Sequence, residues 1–132
     1  MLDRYQTPCT HDGCGICGIS TTGFQHSHIQ TDKWQRYGQG FYFAPNSSKA
    51  RDYCSKPENG KYKAMLVCQV ATGKAYVLRK NKKELKEPPE GYHSVHGKRK
   101  CFLSSSTLNY DERVVYKPDA SCPRYVLLFV DR

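Results

Sequence analysis

Hydrophobic and polar positions divide this chain into short stretches, most of them with the period of a strand. KYKAMLVCQVATG (Lys61 to Gly73) alternates and is rich in strand formers, which makes it the clearest strand. KAYVL follows directly after Gly73, and ERVVY and RYVLLFV carry the same signature farther on, parted by KPDASCP. A further short strand is predicted around Phe41 to Ala44. Ser47 or Ser48 is placed to cap a helix running to about Lys56, and Asn59-Gly60 marks a turn. Near the start, Ile16 and Ile19 stand at helical spacing before Gly23, so a short helix ended by glycine is expected there. Gly13, Gly15 and Gly18 weaken it by up to ~1 kcal/mol each, so something besides propensity must hold it. The charged stretch RKNKKELKEPPEGYHSVHGKRK, broken by Pro88-Pro89, reads mostly as loop.

These elements predict an α+β fold with mainly antiparallel strands and no internal repeat. A chain of 132 residues forms one domain able to bury about 70% of its unfolded surface. A formal charge of +9 points to an anionic ligand or partner, against the plainer reading of a soluble basic surface. No stretch has the length of a membrane span, and residues 1–15 lack the apolar core of a signal peptide.

Seven cysteines, three of them close together, favour a metal site with buried thiols in a reducing compartment over a disulfide framework. Cys9, His11, Cys14 and Cys17 supply four soft or borderline ligands within nine residues, and Cys-x2-Cys lets two thiolates reach one zinc ion. Four ligands leave no open position, so the expected role is structural. Metal binding would also account for the order of a glycine-rich helix. The plainer reading is three reduced thiols and a surface histidine. His26 or His28 is the alternative to His11 as fourth ligand. The chain thus divides into an N-terminal zinc-binding segment, 1–24, and a core, 25–132, within one compact unit.

Three stretches stand in order: YGQGFYFAPNSSKARDYC, EPPEGYHSVHG and LNYDERVVY. Together they resemble the catalytic domain of the poly(ADP-ribose) polymerase family, the diphtheria-toxin-type ADP-ribosyltransferases. PCTHDGCGIC followed by GISTTGF resembles a zinc-bearing branch frequent in fungi. The resemblance extends from about Pro8 to Phe129.

The resemblance implies two packed, mainly antiparallel sheets with short helices and an N-terminal zinc loop. It also implies NAD bound in a cleft between the sheets. Tyr42 and Tyr53 would clasp the nicotinamide ring from two sides, gaining stacking and cation–π attraction. Glu112 matches the catalytic acid, which holds the nicotinamide-ribose hydroxyl and stabilises the oxocarbenium-like centre. Gly38 and Gly40 would let backbone pass close to the ligand. The plain alternatives are core packing for the tyrosines and a solvated strand-end acid for Glu112, with Asp111 as its rival. His93 and His96 receive no catalytic role.

Two departures from the family pattern are visible. Ala50 stands where the family often offers a serine to the carboxamide, leaving Ser48 or Ser47 as substitutes. No His-Gly pair precedes the cysteine cluster, where the family has a first strand carrying one; only MLDRYQTP does. A dimer partner, another part of a longer gene product or the short N-terminal segment is expected to supply that edge.

The reading that follows is transfer of single ADP-ribose units from NAD to a macromolecule, a protein in preference to a nucleic acid. The segment between Val95 and Leu108 is short for gripping a growing polymer. Two other classes stand beside it. One is a catalytically silent module binding a protein, NAD or ADP-ribose, which could also be an effector. The other is a zinc-stabilised nucleic-acid binder using RKNKKELK and GKRK, with Tyr92 for stacking; Glu84, Glu87 and Glu90 dilute that basic run. The expected location is cytoplasmic or nuclear, or, for an effector, secretion followed by action inside a host cell.

Overall fold

The computed structural model describes residues 13–54 and 61–130. The chain runs through α1 (Gly15–Thr22), a 3₁₀ turn at His26–His28, β1 (Phe41–Phe43), α2 (Ser47–Arg51), β2 (Lys63–Val70) and β3 (Ala75–Leu78). It continues through β4 (Ser94–Gly97), β5 (Glu112–Val115), a second 3₁₀ turn at Pro118–Ala120 and β6 (Ser121–Phe129). The strands form a four-stranded sheet in the order β1-β5-β4-β3 and a two-stranded sheet, β2-β6. All pairs are antiparallel except β3 with β4. The α+β expectation is met.

The core lies on the four-stranded sheet. Tyr37, Val95, Leu108, Val114 and Tyr116 form its buried cluster, with Tyr42, Tyr76, Leu78 and Leu85 packed against it. Strand β4 corrects the sequence reading, which took Ser94 to Gly97 for loop. All four of its residues are buried, because β3 and β5 flank it on both sides. Val95, His96 and Gly97 are paired by both neighbours, and that pairing is absent from local sequence. The return from β3 to the parallel β4 takes up the charged segment 79–93, in keeping with the long crossovers that parallel strands need.

The second sheet departs from the expected packed pair of sheets. No residue of β2 or β6 is buried, and Tyr125 to Leu128 are between 46% and 68% exposed. Among the described residues, the buried core therefore belongs to one sheet.

Helix α1 ends at Gly23, whose positive φ of 75° closes it as the glycine predicts. None of its residues is buried. Ser20, Thr21 and Thr22 each return a hydroxyl hydrogen bond to the carbonyl four residues back. Helix α2 is shorter than expected, and Asn46, not Ser47 or Ser48, holds the N-cap position, without a side-chain capping hydrogen bond. Past Arg51 the backbone tightens: the N–H groups of Asp52, Tyr53 and Cys54 donate to carbonyls three residues back, which closes the helix.

Candidate active site

Strand β1 and the turn before it build one wall of the site. The Tyr42 hydroxyl accepts a hydrogen bond from the Tyr37 N–H (2.9 Å) and donates to the Gly38 carbonyl (2.7 Å), fixing the loop that enters the strand. Burial pushes the Tyr42 phenol up to about 12, with the Tyr37 N–H opposing and the Glu112 charge adding to it. Tyr37 is raised by burial first and by Glu112 second. Tyr42 and Glu112 therefore sense one another on the same face of the sheet, as the register of Tyr42 against Val114 requires.

Gly38 and Gly40 have a packing reason within the protein itself. Gly38 has φ +73°, and a Cβ there would lie 1.7 Å from the Leu85 carbonyl oxygen. A Cβ on Gly40 would lie 2.5 Å from Cγ1 of Val114. Both glycines thus let the β1 entry loop press against its neighbours.

Across from β1, the first residue of β5 is Glu112. It is buried, and its Oε1 pairs with the ammonium of Lys49, which is also buried, on α2. The other carboxylate oxygen, Oε2, is buried with no hydrogen-bond partner. A buried acceptor without a donor is costly, and a ligand hydroxyl is the group that would relieve it. Lys49 is the site residue that sequence reasoning missed. Within SSKAR it looks like any solvated helix lysine, and only the approach of α2 to β5 sets it apart.

Asp111, the sequence-level rival of Glu112, points away. Its Oδ2 lies 2.7 Å from His96 Nε2, and its Oδ1 accepts the Arg99 N–H at 2.8 Å. Burial raises the Asp111 carboxyl, but the Arg99 N–H and His96 outweigh it and hold the carboxyl below its ordinary value.

Tyr53 lies just past α2 and is 78% exposed, whereas Tyr42 is half-buried. Core packing thus accounts for Tyr42 in part and does not account for Tyr53. Ser48 is exposed on α2, beside Lys49, and Ala50 is half-buried there.

Of the expected metal ligands, Cys9 and His11 lie outside the described residues. Cys14 is the N-cap of α1 and Cys17 falls on its first turn, so the pair stands at one helix end. Among the described residues no group of three or more His, Cys, Asp or Glu is placed to hold a metal ion. His26 and His28 are thus not grouped with the two cysteines; the His26 ring lies 5.2 Å from that of Phe41.

Comparison with known proteins bears on this geometry. Residues 15–115 match the family described as poly(ADP-ribose) polymerase catalytic domain. The chain is 35% identical over 120 residues to the protein mono-ADP-ribosyltransferase PARP4 of Mus musculus, covering 86% of this chain and 6% of that protein. The Homo sapiens protein of the same name is 34% identical over 92 residues, covering 70% of this chain and 5% of that protein. Poly [ADP-ribose] polymerase 1 of Oryza sativa subsp. japonica is 38% identical over 115 residues, covering 69% and 12% respectively. The chain thus spans only a small fraction of the relatives it matches. The matched span takes in β1, α2 and β5, the elements that assemble Tyr42, Lys49 and Glu112, and the chain belongs to the poly(ADP-ribose) polymerase catalytic domain family.

Proposed function

We propose that this domain transfers single ADP-ribose units from NAD to a protein acceptor. The observation that carries the reading is Glu112: one oxygen held by Lys49, the other buried and free of any donor. NAD, when bound, supplies the ADP-ribosyl group and nicotinamide as the leaving group.

The chain's own residues would act as follows. Lys49 holds the Glu112 carboxylate in place, so that no reorganisation is needed when positive charge develops nearby. Oε2 of Glu112 accepts a hydroxyl from the sugar. Tyr42 forms the rigid wall, and Tyr53, exposed at the helix end, closes on the flat ring by stacking. Ser48 is the hydroxyl nearest in sequence to the carboxamide position left by Ala50. The fungal-type zinc branch, with Cys9, His11, Cys14 and Cys17 as ligands, is part of the same proposal. It is supported by the ligand spacing and by a glycine-rich α1 that buries no side chain.

Single-unit transfer rests on the short segment between Val95 and Leu108, together with the names of the Mus musculus and Homo sapiens relatives, both mono-ADP-ribosyltransferases. The test is nicotinamide release from NAD by the purified chain beside Glu112→Gln, with acceptor protein resolved by mass. Release lost in the variant and mass steps of one ADP-ribose are expected. Release from both proteins would remove Glu112 from the chemistry. A ladder of added units would overturn single transfer.

A further inference from the structure

Because side chains alternate along a strand, Asp111 and Arg113 face the side of the sheet opposite Glu112. His96, the register partner of Arg113, stands on that side too. There a cavity of about 480 Å³ opens, lined by Arg79, Lys98, Arg99 and Arg113, with Tyr110 on its wall, Pro45 and Asn46 before α2, and Asp111 as its only acid among the described residues. Asp111 is already committed: it is held by His96, by the Arg99 N–H and, at 3.8 Å, by the Lys98 ammonium. Four cations thus face one carboxylate that is itself satisfied.

Arg113 gives a second, independent sign. Its Nη1 is buried and has no hydrogen-bond partner. A guanidinium donor in that state lacks an acceptor, and the fork geometry suits two oxygens of one anion. The same wall already favours negative charge. The Cys101 thiol, which lines the cavity, is pulled down by the Leu103 N–H and the Ser104 hydroxyl, and then by Arg79 and Arg99. A single carboxylate would leave most of this positive charge unmatched, whereas a phosphate group carries the multiple charge and the oxygens that the cations can share.

We propose that this cavity binds a phosphate-bearing anion, gripped by Arg113 with Arg79, Arg99 and Lys98, at a site separate from the one built on Glu112. Both sites can then be filled at once, and occupancy here does not depend on NAD turnover.

Titration calorimetry with inorganic pyrophosphate at fixed ionic strength tests the proposal, since screening would otherwise confuse a site with a diffuse field. The expected result is saturable binding that weakens about tenfold or more in Arg79→Gln/Arg99→Gln, the loss of one or two charge-assisted hydrogen bonds. Both of those residues are exposed, so the variant keeps its fold. Arg113→Lys keeps the charge and removes the fork, and binding should weaken there as well. Nicotinamide should leave the pyrophosphate affinity unchanged. Absence of saturable binding, or equal affinity in the double variant, would overturn the site. Competition by nicotinamide would overturn its separateness. Failure of NAD turnover with pyrophosphate still bound would count against the transferase reading alone.

Discussion

Lys49 and Glu112, 63 residues apart, form a buried ion pair that ties α2 to β5. This contact places a carboxylate in a fixed position while its second oxygen stays buried and without a donor. The pair belongs to packing and, in the proposed transfer, to chemistry as well. Two charges withdrawn from water hold each other only while both are present.

Removal of one partner should therefore cost more than removal of both. Lys49→Met should destabilise the domain by about 3 kcal/mol or more, because it leaves an uncompensated buried carboxylate. Adding Glu112→Gln to that variant should recover much of the loss. Urea unfolding of the two single variants and the double variant measures this directly. Additive losses would mean that the two side chains do not share a buried site.

Tyr53 should behave in the opposite way. At 78% exposure its ring contributes little to the core, so Tyr53→Ala should shift stability by no more than about 0.5 kcal/mol. The same variant should weaken nicotinamide binding by about tenfold, the size of a lost stacking partner. Paired melting and binding measurements separate the two effects. A fall in melting temperature with unchanged binding would return Tyr53 to a packing role.

Much of the fold was legible because alternation and turn residues are local signals. β2, β3 and β5 follow from runs such as KAMLV and ERVV, and Gly23 ends α1 where a glycine was expected. β4 was hidden because SVHG holds one strong strand former between charged and proline-rich flanks. Its burial comes from β3 and β5, which are distant in sequence. The site was legible in part for a similar reason. Tyr42 and Glu112 sit in recognisable strings, whereas Lys49 is one basic residue among 21 and gains its role only from tertiary contact. The choice between Asp111 and Glu112 also needed the pleat, which sends neighbours to opposite faces.

The loop entering β1 tolerates no side chain at Gly38. Its φ of +73° is unfavourable for an L-residue, and an added Cβ would strike the Leu85 backbone. Gly38→Ala should cost about 3 kcal/mol or more and reduce the yield of folded protein. Gly91 has φ +79° but open space around it, so Gly91→Ala should cost only about 1–2 kcal/mol. Denaturation midpoints of the two variants check the contrast. Equal losses would show that conformation alone, and not the Leu85 contact, restricts Gly38.

Acidification should weaken the domain through His96 before it does so through Asp111. Burial holds His96 below its ordinary value of 6.5, with Asp111 opposing only in part. A base whose folded pKa is depressed binds its proton more readily when unfolded, so stability falls as pH drops from 6.5 towards the folded value. Asp111, also depressed, adds a further loss as pH falls below its ordinary 3.8. Urea midpoints between pH 7 and pH 5 should decline in the wild type and flatten in His96→Gln. An unchanged slope in that variant would assign the decline to other groups.

The N-terminal helix supplies the last test. α1 contains Gly15 and Gly18, buries no side chain and carries Cys14 and Cys17 at one end. Propensity does not explain such a helix and its apolar face, Ile16, Cys17 and Ile19, is only half-buried, whereas a metal held at its first turn would add to it. Native mass spectrometry of the purified chain should show about one zinc ion per molecule. Removal by a chelator should lower α1 helicity and leave the four-stranded sheet folded, since the buried core contains no residue of α1. Cys14→Ser should lose the ion. An intact chain that carries no metal yet keeps its helix signal would mean that the packing of α1 against β2 and β6 suffices to hold it.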